Sequence, residues 1–155
     1  MYLKTIIAAL AALLLAACNP MAQLNDAEAQ VESFHDTYNE GDARALYGRT
    51  GEAFREVTSA QDMVDLVALV NERMGKVVSS EREGININSN NGTTTTTVTM
   101  KTEFEKGEAT ETFIFTGSGE DMGLVSWNVD SPNFMGPAEP TGPEDDDAEA
   151  HQPAE

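Results

Sequence analysis

The pair Asn91-Gly92, set between two stretches of alternating side chains, constrains the fold of this chain more than any other feature. Asn-Gly is the strongest short-range signal for a two-residue type I′ turn, which joins two antiparallel strands. The first strand is expected to run from Val77 to Ser89 and to bend at Gly84, because glycine in a strand often marks an irregularity. The turn also fixes a register, in which Ile85 pairs with Val98 and Ile87 pairs with Thr96.

A second tight turn is predicted at Lys106-Gly107, where it continues the sheet into a third strand. This turn pairs Met100 with Phe113 and Val98 with Phe115. Both turns place the apolar residues on one face, and a one-residue slip in either would scatter them. A last strand, Leu124 to Asp130, adds three more apolar residues to that face. The predicted apolar face consists of Ile85, Ile87, Val98, Met100, Phe104, Phe113, Phe115, Val125, Trp127 and Val129.

Before Gly75 the apolar residues recur at helical spacing instead. Asn25-Asp26 is expected to cap a first helix that ends at Gly41. Asp42 and Thr50 can cap two short helices, and Ser59 can cap a long one that ends at Gly75. An antiparallel sheet with one apolar face needs such helices to cover it. The sequence therefore predicts an α+β domain over 26–131, with N-terminal helices packed on one face of a curved four-stranded antiparallel meander.

The N-terminus has the pattern of an export signal, with Lys4 followed by an apolar run from Thr5 to Ala17. The run is too short to span a bilayer as a mature helix, which favours its removal. The order Leu15-Ala16-Ala17-Cys18 resembles the bacterial lipobox. That resemblance implies a signal peptide over 1–17 and a diacylglyceryl group on Cys18, which becomes the first residue after cleavage. The alternative is an ordinary secretory signal with an incidental cysteine.

A lipidated Cys18 has further implications for location and for chemistry. The resemblance implies a lipid-anchored protein of the bacterial cell envelope that faces the periplasm, attached to the membrane through Cys18 and a short linker over 18–25. Asn19 lacks the aspartate that retains enterobacterial lipoproteins at the inner membrane, which favours the outer membrane. Cys18 is also the only cysteine. Disulfides, cysteine nucleophiles and cysteine-type metal sites are therefore not expected in the folded part.

The segment 132–155 differs in composition from the rest of the chain. It contains five of the six prolines, seven carboxylates from Glu139 onward, and no lysine or arginine. Because little apolar surface remains to offset the entropy of ordering, a disordered acidic tail is expected. The run from Glu144 to Asp147 lacks the glycine and the spaced ligands of a calcium loop, so no metal or cofactor is expected. A formal net charge of −18 also argues against a nucleic-acid partner.

Four short segments, together with the order of elements, point to a known fold: Phe34–Asp42, Met74–Ser79, Lys101–Phe104 and Glu111–Phe113. They resemble the cystatin-like cone of the nuclear transport factor 2-like superfamily, and within it small exported bacterial proteins. The resemblance covers Asp26 to Asp130. It implies a curved sheet around the helices, and enzymatic members usually work in the mouth of the cone with a His/Asp pair or a lone carboxylate as base. Other members bind ligands or act as scaffolds.

His35 is the candidate catalytic residue, because the domain has no other histidine and His151 lies in the tail. At 100° per residue, its side chain points roughly 70° away from the apolar stripe of the first helix, which predicts a boundary position. Asp36 is its neighbour in sequence but points elsewhere on the helix, so it is a poor orienting partner. The alternative is a solvated histidine at the edge of the helix.

Tyr38, Tyr47, Phe54 and Trp127 are candidates for an aromatic pocket. Core packing explains Tyr38 and Trp127 at least as well. The expected function is a non-catalytic domain that binds an envelope protein or a small ligand. One alternative is a small enzyme of the hydratase or isomerase type, with its reaction in the cone. Another is a spacer that presents the acidic tail.

Overall fold

A computed structural model describes residues 20–135. The predicted signal peptide, Cys18, and the tail beyond residue 135 lie outside these residues. The described part is α+β, with helices followed by an antiparallel sheet of order β1-β2-β3-β4, in which β1 and β4 are the two edges. The elements are α1 Pro20–Glu40, α2 Ala43–Gly48, α3 Glu52–Val57, α4 Ala60–Met74, β1 Val77–Asn90, β2 Thr93–Phe104, β3 Gly107–Thr116 and β4 Gly123–Asp130, with 3-10 turns at Gly119–Asp121 and Pro132–Phe134.

Helix α1 already includes Pro20, so the predicted start at Asn25-Asp26 is wrong. Proline is tolerated in the first turn of a helix, where its missing N–H has no helical partner. The early turns are also fixed to the sheet, since the Gln23 amide nitrogen donates to Thr96 Oγ1 at 2.9 Å and to the Gly117 carbonyl at 3.0 Å. Residues 20–25 of the predicted linker are therefore helical. None of the described helices is long and apolar enough to cross a membrane.

The caps predicted for α2 and α4 are confirmed. The Asp42 carboxylate accepts a hydrogen bond from the Ala45 N–H at 2.9 Å. Ser59 and Asp62 form a reciprocal capping box at the start of α4. Gly75 follows α4 with φ 79°, a conformation that favours glycine. These local signals determine where both helices begin and where α4 ends.

The cap predicted for α3 is wrong, because Gly51 and not Thr50 precedes the helix. Thr50 instead forms an isolated parallel bridge with Leu124 of β4, and the Gly51 N–H donates to the Leu124 carbonyl at 2.7 Å. The two backbones approach closely here: a Cβ on Gly123 would lie 2.9 Å from the Gly51 Cα. Because Gly51 and Gly123 have no side chains, the segment between α2 and α3 can hydrogen-bond to the edge strand β4.

The register of the first hairpin is confirmed. Asn91 and Gly92 have φ 49° and 81°, as a type I′ turn requires. The strand pairing is irregular between Arg82 and Gly84, where the bend was expected. The predicted pairs are both present, Ile85 with Val98 and Ile87 with Thr96.

The register predicted between β2 and β3 is wrong by two residues. Phe104 pairs with Gly107, so the turn consists of Glu105-Lys106. This turn is held from outside the sheet, because the Glu105 N–H donates to the Lys76 carbonyl and the Glu105 carboxylate accepts from the Lys76 N–H, both at 2.9 Å. A shift of two residues leaves every side chain on its predicted face. The observed pairs are Val98 with Phe113 and Met100 with Glu111.

The position predicted for Val125 is also wrong. The pairing of β3 with β4 has an irregularity after Ile114, so that Val125 is the extra residue. Leu124 and Trp127 are buried on the core face, while Val125 is only half-buried. An extra residue of this kind reverses the side-chain alternation on one side of it.

The core lies between the apolar stripes of α1 and α4 and the inner face of the sheet. Its centre is aromatic: the Phe34 ring lies 5.2 Å from the Phe113 ring and 4.8 Å from the Trp127 ring, measured between centroids. Phe134 packs against this core from the 3-10 turn Pro132–Phe134. The ordered domain therefore continues past residue 131, into the first residues of the predicted tail.

Candidate functional site

A carboxylate lies in the interior of the domain. Glu111 points inward from β3, and its exposed fraction is 0 %. It accepts three hydrogen bonds: from His35 Nε2 at 2.7 Å and Thr102 Oγ1 at 2.6 Å on one oxygen, and from Trp127 Nε1 at 2.8 Å on the other. Burying a carboxylate is costly unless it is paired and hydrogen-bonded. Helix α1 and strands β2 and β4 supply the donors that meet this requirement.

The directions of these hydrogen bonds assign the proton on the His35 ring. The Trp127 indole can only donate, and the Thr102 hydroxyl donates to the same carboxylate. Because Thr102 uses its proton there, the Ser80 hydroxyl at 2.8 Å donates to Thr102. Glu111 thus acts as an acceptor for all its partners. The ring of His35 is accordingly assigned a proton on Nε2, through which it donates to Glu111.

His35 is buried, so the predicted boundary position is wrong, and so is the solvated edge histidine. Its exposed fraction is 7 %. The ring packs edge-on against Phe113 with 5.7 Å between centroids, because the sheet extends over the edge of the α1 stripe. Asp36 does not orient it, in agreement with the prediction. The orienting group is Glu111, which no signal local to α1 could indicate.

The sequence did contain a signal for the missed residues. Glu111 alternates with Phe113 along β3, and Thr102 alternates with Met100 and Phe104 along β2. Alternation alone places both polar side chains on the core face. A buried polar residue is the informative exception to a hydrophobic core, and two of them on paired strands predict a polar network.

An open cleft with a volume of about 490 Å³ lies between α1 and β1, and His35 is one of the residues that line it. Val31 and Met100 provide apolar surface beside the ring. No hydrogen-bond partner is seen for His35 Nδ1 among residues 20–135, and no buried side-chain nitrogen or oxygen there lacks a partner. Nδ1, which has no partner among these residues, is therefore not fully buried. The other lining residues are Glu28, Glu32, Asp36, Asn39, Val77, Val78, Ser80 and Arg82.

The donor side chains that line the cleft are already engaged. Arg82 Nε lies 3.3 Å from a Glu28 carboxylate oxygen. Asn39 makes two hydrogen bonds to the backbone of Val77, donating to its carbonyl at 3.0 Å and accepting from its N–H at 2.8 Å. Ser80 is bonded to Thr102. Each of these side chains thus has a partner within the protein, although the pairing of Arg82 uses only Nε of its guanidinium group.

The acceptors of the cleft are free by contrast. Glu32 and Asp36 are exposed, and neither has a hydrogen-bond or ion-pair partner among the described residues. They lie one helical turn apart on α1, on the same side as His35 Nδ1. The cleft therefore presents two unpaired carboxylates beside the His35 ring.

The four aromatic residues predicted to form a pocket do not line this cleft. Tyr38, Phe54 and Trp127 are buried in the core. The Tyr38 hydroxyl donates to the Gly75 carbonyl at 2.8 Å, and burial raises the pKa of Tyr38 to about 12. Tyr47 packs at the margin of the core with the Arg55 guanidinium 5.8 Å from its ring centroid. Packing therefore accounts for the positions of all four.

Within residues 20–135, no three histidine or acidic side chains are placed to hold a metal ion. In comparisons with known proteins, no family model matches the chain, and no curated protein matches it in sequence.

Proposed function

We propose that this chain is a lipid-anchored protein of the bacterial cell envelope whose domain binds a small polar ligand in the α1–β1 cleft without changing it chemically. The anchor rests on Leu15-Ala16-Ala17-Cys18 and on the apolar run before it. Asn19 after the cysteine favours the outer membrane, with the domain in the periplasm. The order of helices and strands supports a cystatin-like domain of the nuclear transport factor 2-like type.

The observation that carries ligand binding is a buried histidine that lines an open cleft and has no hydrogen-bond partner on Nδ1 within residues 20–135. Its ring is fixed by Glu111, which in turn is fixed by Thr102 and Trp127. Polar groups held in place by a second layer of hydrogen bonds are typical of binding sites that are formed before the ligand arrives.

The state of the donors favours binding over catalysis. An enzyme that abstracts a proton must also stabilise the negative charge that develops on its substrate, usually with preorganised hydrogen-bond donors. Here Arg82, Asn39 and Ser80 are occupied by Glu28, Val77 and Thr102. Exposed Glu32 and Asp36 would add unfavourable charge to such an intermediate. Few donors of the cleft therefore remain to stabilise such an intermediate.

Two measurements test this proposal. For the anchor, metabolic labelling of the full chain in a bacterial host with an alkyne palmitate analogue should label the wild type and not Cys18→Ser. Equal labelling of both would contradict a lipidated Cys18. For the cleft, the ring signals of His35 should shift saturably by NMR with at least one probe from a set of small amines, carboxylates and alcohols, and the added probe should be recovered unchanged.

A second candidate is an enzyme of the hydratase or isomerase type, with His35 as general base. The His35–Glu111 pair favours it, because a carboxylate on one ring nitrogen orients the other and stabilises the protonated ring. Simple ketones in D₂O provide a test. Deuterium exchange next to the carbonyl that disappears in His35→Gln would establish the base, while exchange at the rate of the buffer would exclude it for that class of substrate.

A further inference from the structure

We infer that one half of the β-sheet, which carries no charge and ends in the Asn91-Gly92 turn, lies against the headgroup surface of the membrane that holds the anchor. The lipidated Cys18 of the proposed function is the basis of this inference, which adds the end of the domain that meets the bilayer. Two independent features support it: the distribution of charge over the sheet and the point where the anchor joins the domain.

The charged side chains of the sheet all lie in one half of it. The division is marked by four residues that pair in succession across the strands, Gly84, Thr99, Thr112 and Asn128. The uncharged half, which includes these four, comprises residues 84–90, 93–99, 112–116 and 123–128. The charged half contains every charged residue of the four strands, namely Glu81, Arg82, Glu83, Lys101, Glu103, Glu108, Glu111 and Asp130. A chain with a formal net charge of −18 thus has one half-sheet without charge.

The hairpin of β1 and β2 is the outermost part of the uncharged half. The last pair between β2 and β3 is Thr95 with Thr116, whereas β1 and β2 continue to pair as far as Asn90 with Thr93. Residues 88–93 are all exposed. Their amide and hydroxyl side chains can hydrogen-bond to lipid headgroups without the repulsion that anionic lipids exert on carboxylates.

The connection between β3 and β4 differs from the hairpin in charge. Its 3-10 turn Gly119–Asp121 contains two exposed carboxylates, Glu120 and Asp121. Anionic lipids would repel both of them. The contact is therefore assigned to the β1–β2 hairpin and not to the β3–β4 connection.

Helix α1 joins the anchor to the uncharged half. Because α1 already includes Pro20, the distance along the chain from Cys18 is two residues, which span at most about 7 Å. The Gln23 side chain, one turn into α1, donates to Thr96 Oγ1 at 2.9 Å and to the Gly117 carbonyl at 3.0 Å. The lipid is thus attached close to a point that is hydrogen-bonded to the uncharged half.

The charged half lies at the other end of the domain. Asn39, in the last turn of α1, is hydrogen-bonded to Val77 at the start of β1. Asn133 is at this end too, since its side chain donates to the Lys106 carbonyl at 2.9 Å. The acidic tail continues from residue 135, so it begins at the end of the domain that is remote from the anchor.

Anchor and charge together give the domain one orientation on the bilayer. The short connection keeps the uncharged half near the headgroups. Carboxylates at that distance would be repelled by anionic lipids, and the repulsion fades over a Debye length of about 8 Å. The sheet has no charge where the anchor brings it close to the surface, and it has carboxylates where the surface is distant.

Fluorescence quenching in vesicles tests this orientation. The chain has one cysteine, which the anchor uses, so an added cysteine is the only free thiol. Asn90→Cys lies beside the turn, and Val78→Cys lies in the charged half of the same strand; both positions are exposed. Each variant is labelled with bimane as the full lipidated chain. It is then reconstituted in vesicles of phosphatidylethanolamine and phosphatidylglycerol, at about 3:1, that contain a lipid with a nitroxide on its headgroup.

The label at residue 90 should be quenched at least threefold more than the label at residue 78. Equal quenching at the two positions would mean that the domain has no preferred orientation and would overturn the inference. Stronger quenching at residue 78 would overturn it as well, because the charged half would then face the membrane.

Matched charge variants test the role of the missing charge. In the Asn90→Cys chain, Asn86→Asp with Asn88→Asp adds two carboxylates to exposed positions of the uncharged half. Quenching should fall at least twofold and recover at high salt, because exposed charges are screened. Val78→Asp with Thr110→Asp adds the same charge to exposed positions of the charged half, and should change quenching less than 1.2-fold. Equal losses for both pairs would overturn the inference; circular dichroism verifies the fold of each variant.

Palmitate labelling of Cys18 distinguishes this inference from the proposed function. If Cys18 is labelled and both positions are quenched equally, the chain is anchored and only the orientation is wrong. If Cys18 is not labelled, the anchor and the orientation fail together. The NMR titration of His35 does not require a membrane, so binding in the α1–β1 cleft is decided separately.

Discussion

One carboxylate lies on the inner side of the His35 ring and two lie on the side of the cleft, and their surroundings differ. Glu111, on the Nε2 side, is fully buried and accepts hydrogen bonds from three donors. Glu32 and Asp36, on the Nδ1 side, are exposed and have no partner within residues 20–135. The number of hydrogen-bond donors around each carboxylate thus differs. Glu111 is fully bonded within the fold, whereas Glu32 and Asp36 remain available to a ligand.

This difference explains how His35 can belong to the buried hydrogen-bond network around Glu111 and also line the α1–β1 cleft. The interior carboxylate fixes the ring and the position of its proton, so the nitrogen toward the cleft is presented in one orientation. The orientation of the His35 ring therefore does not depend on the charged residues of the cleft. We therefore expect changes on the Glu111 side to act on stability and changes on the Glu32 side to act on binding. The four predictions below run from the largest effect to the smallest.

Glu111→Ala should lower the free energy of unfolding by about 4–5 kcal/mol, because it leaves the His35 and Trp127 donors buried without an acceptor. Urea denaturation followed by the fluorescence of Trp127 measures the loss. Glu103→Ala, on the exposed face of β2, is the matched control and should stay within about 0.5 kcal/mol. A loss below 1 kcal/mol for Glu111→Ala would show that the buried network does not contribute to stability.

Phe113→Ala should cost about 4 kcal/mol, since it removes a fully buried ring between the Phe34 and His35 rings. The same denaturation assay applies. Ile114→Ala is the comparison on the opposite face of β3, where the side chain is half-buried and the loss should be clearly smaller. If Ile114→Ala were the more damaging of the two, the assignment of the core face would be wrong.

Tyr38 provides a prediction on pH. Its pKa is about 12 in the folded protein and about 10 in a model peptide, so the neutral hydroxyl stabilises the fold below pH 10. That contribution is lost as the pH rises from 10 to 12 and amounts to about 2 kcal/mol. Unfolding of wild type and Tyr38→Phe should therefore depend differently on pH in this window. Tyr47→Phe is the control, and identical curves for wild type and Tyr38→Phe would contradict the prediction.

Glu32→Gln should have the smallest effect on stability. It relieves repulsion with Asp36 one turn away and has no hydrogen bond to lose within the described residues, so a gain of about 0.2–0.5 kcal/mol is expected. The gain should shrink at high salt, because exposed charges are screened. Thermal unfolding at low and high salt measures it. A loss above 1 kcal/mol would mean that Glu32 has a structural partner.

The faces of the sheet could be predicted from the sequence, and the site largely could not. Alternation and the Asn91-Gly92 turn determine which side chains point inward, and even the two-residue error at the second turn preserved the faces. The same error, however, paired Met100 with Phe113 instead of with Glu111. With the predicted pairing the core was entirely apolar and did not include the Glu111 carboxylate.

The burial of His35 could not be derived from α1 alone. A helical wheel gives the direction of a side chain relative to the apolar stripe of its own helix, but it does not show how far the sheet extends beyond that stripe. The start of α1 was missed for a related reason. Its first turns carry mostly polar residues, and their helical state is supported by a tertiary contact, the one between Gln23 and Thr96. Both features depend on residues more than 70 positions away in sequence.

The two hydrogen bonds between the Asn39 side chain and the Val77 backbone have a consequence for self-association. Strand β1 is a 14-residue edge, and an exposed edge can recruit a strand from another molecule. The Asn39 amide offers Val77 one donor and one acceptor, as a neighbouring strand would. The first residue of the edge is therefore already paired, and a foreign strand cannot begin to align there. A single side chain at the end of α1 protects the start of this edge from intermolecular β-pairing.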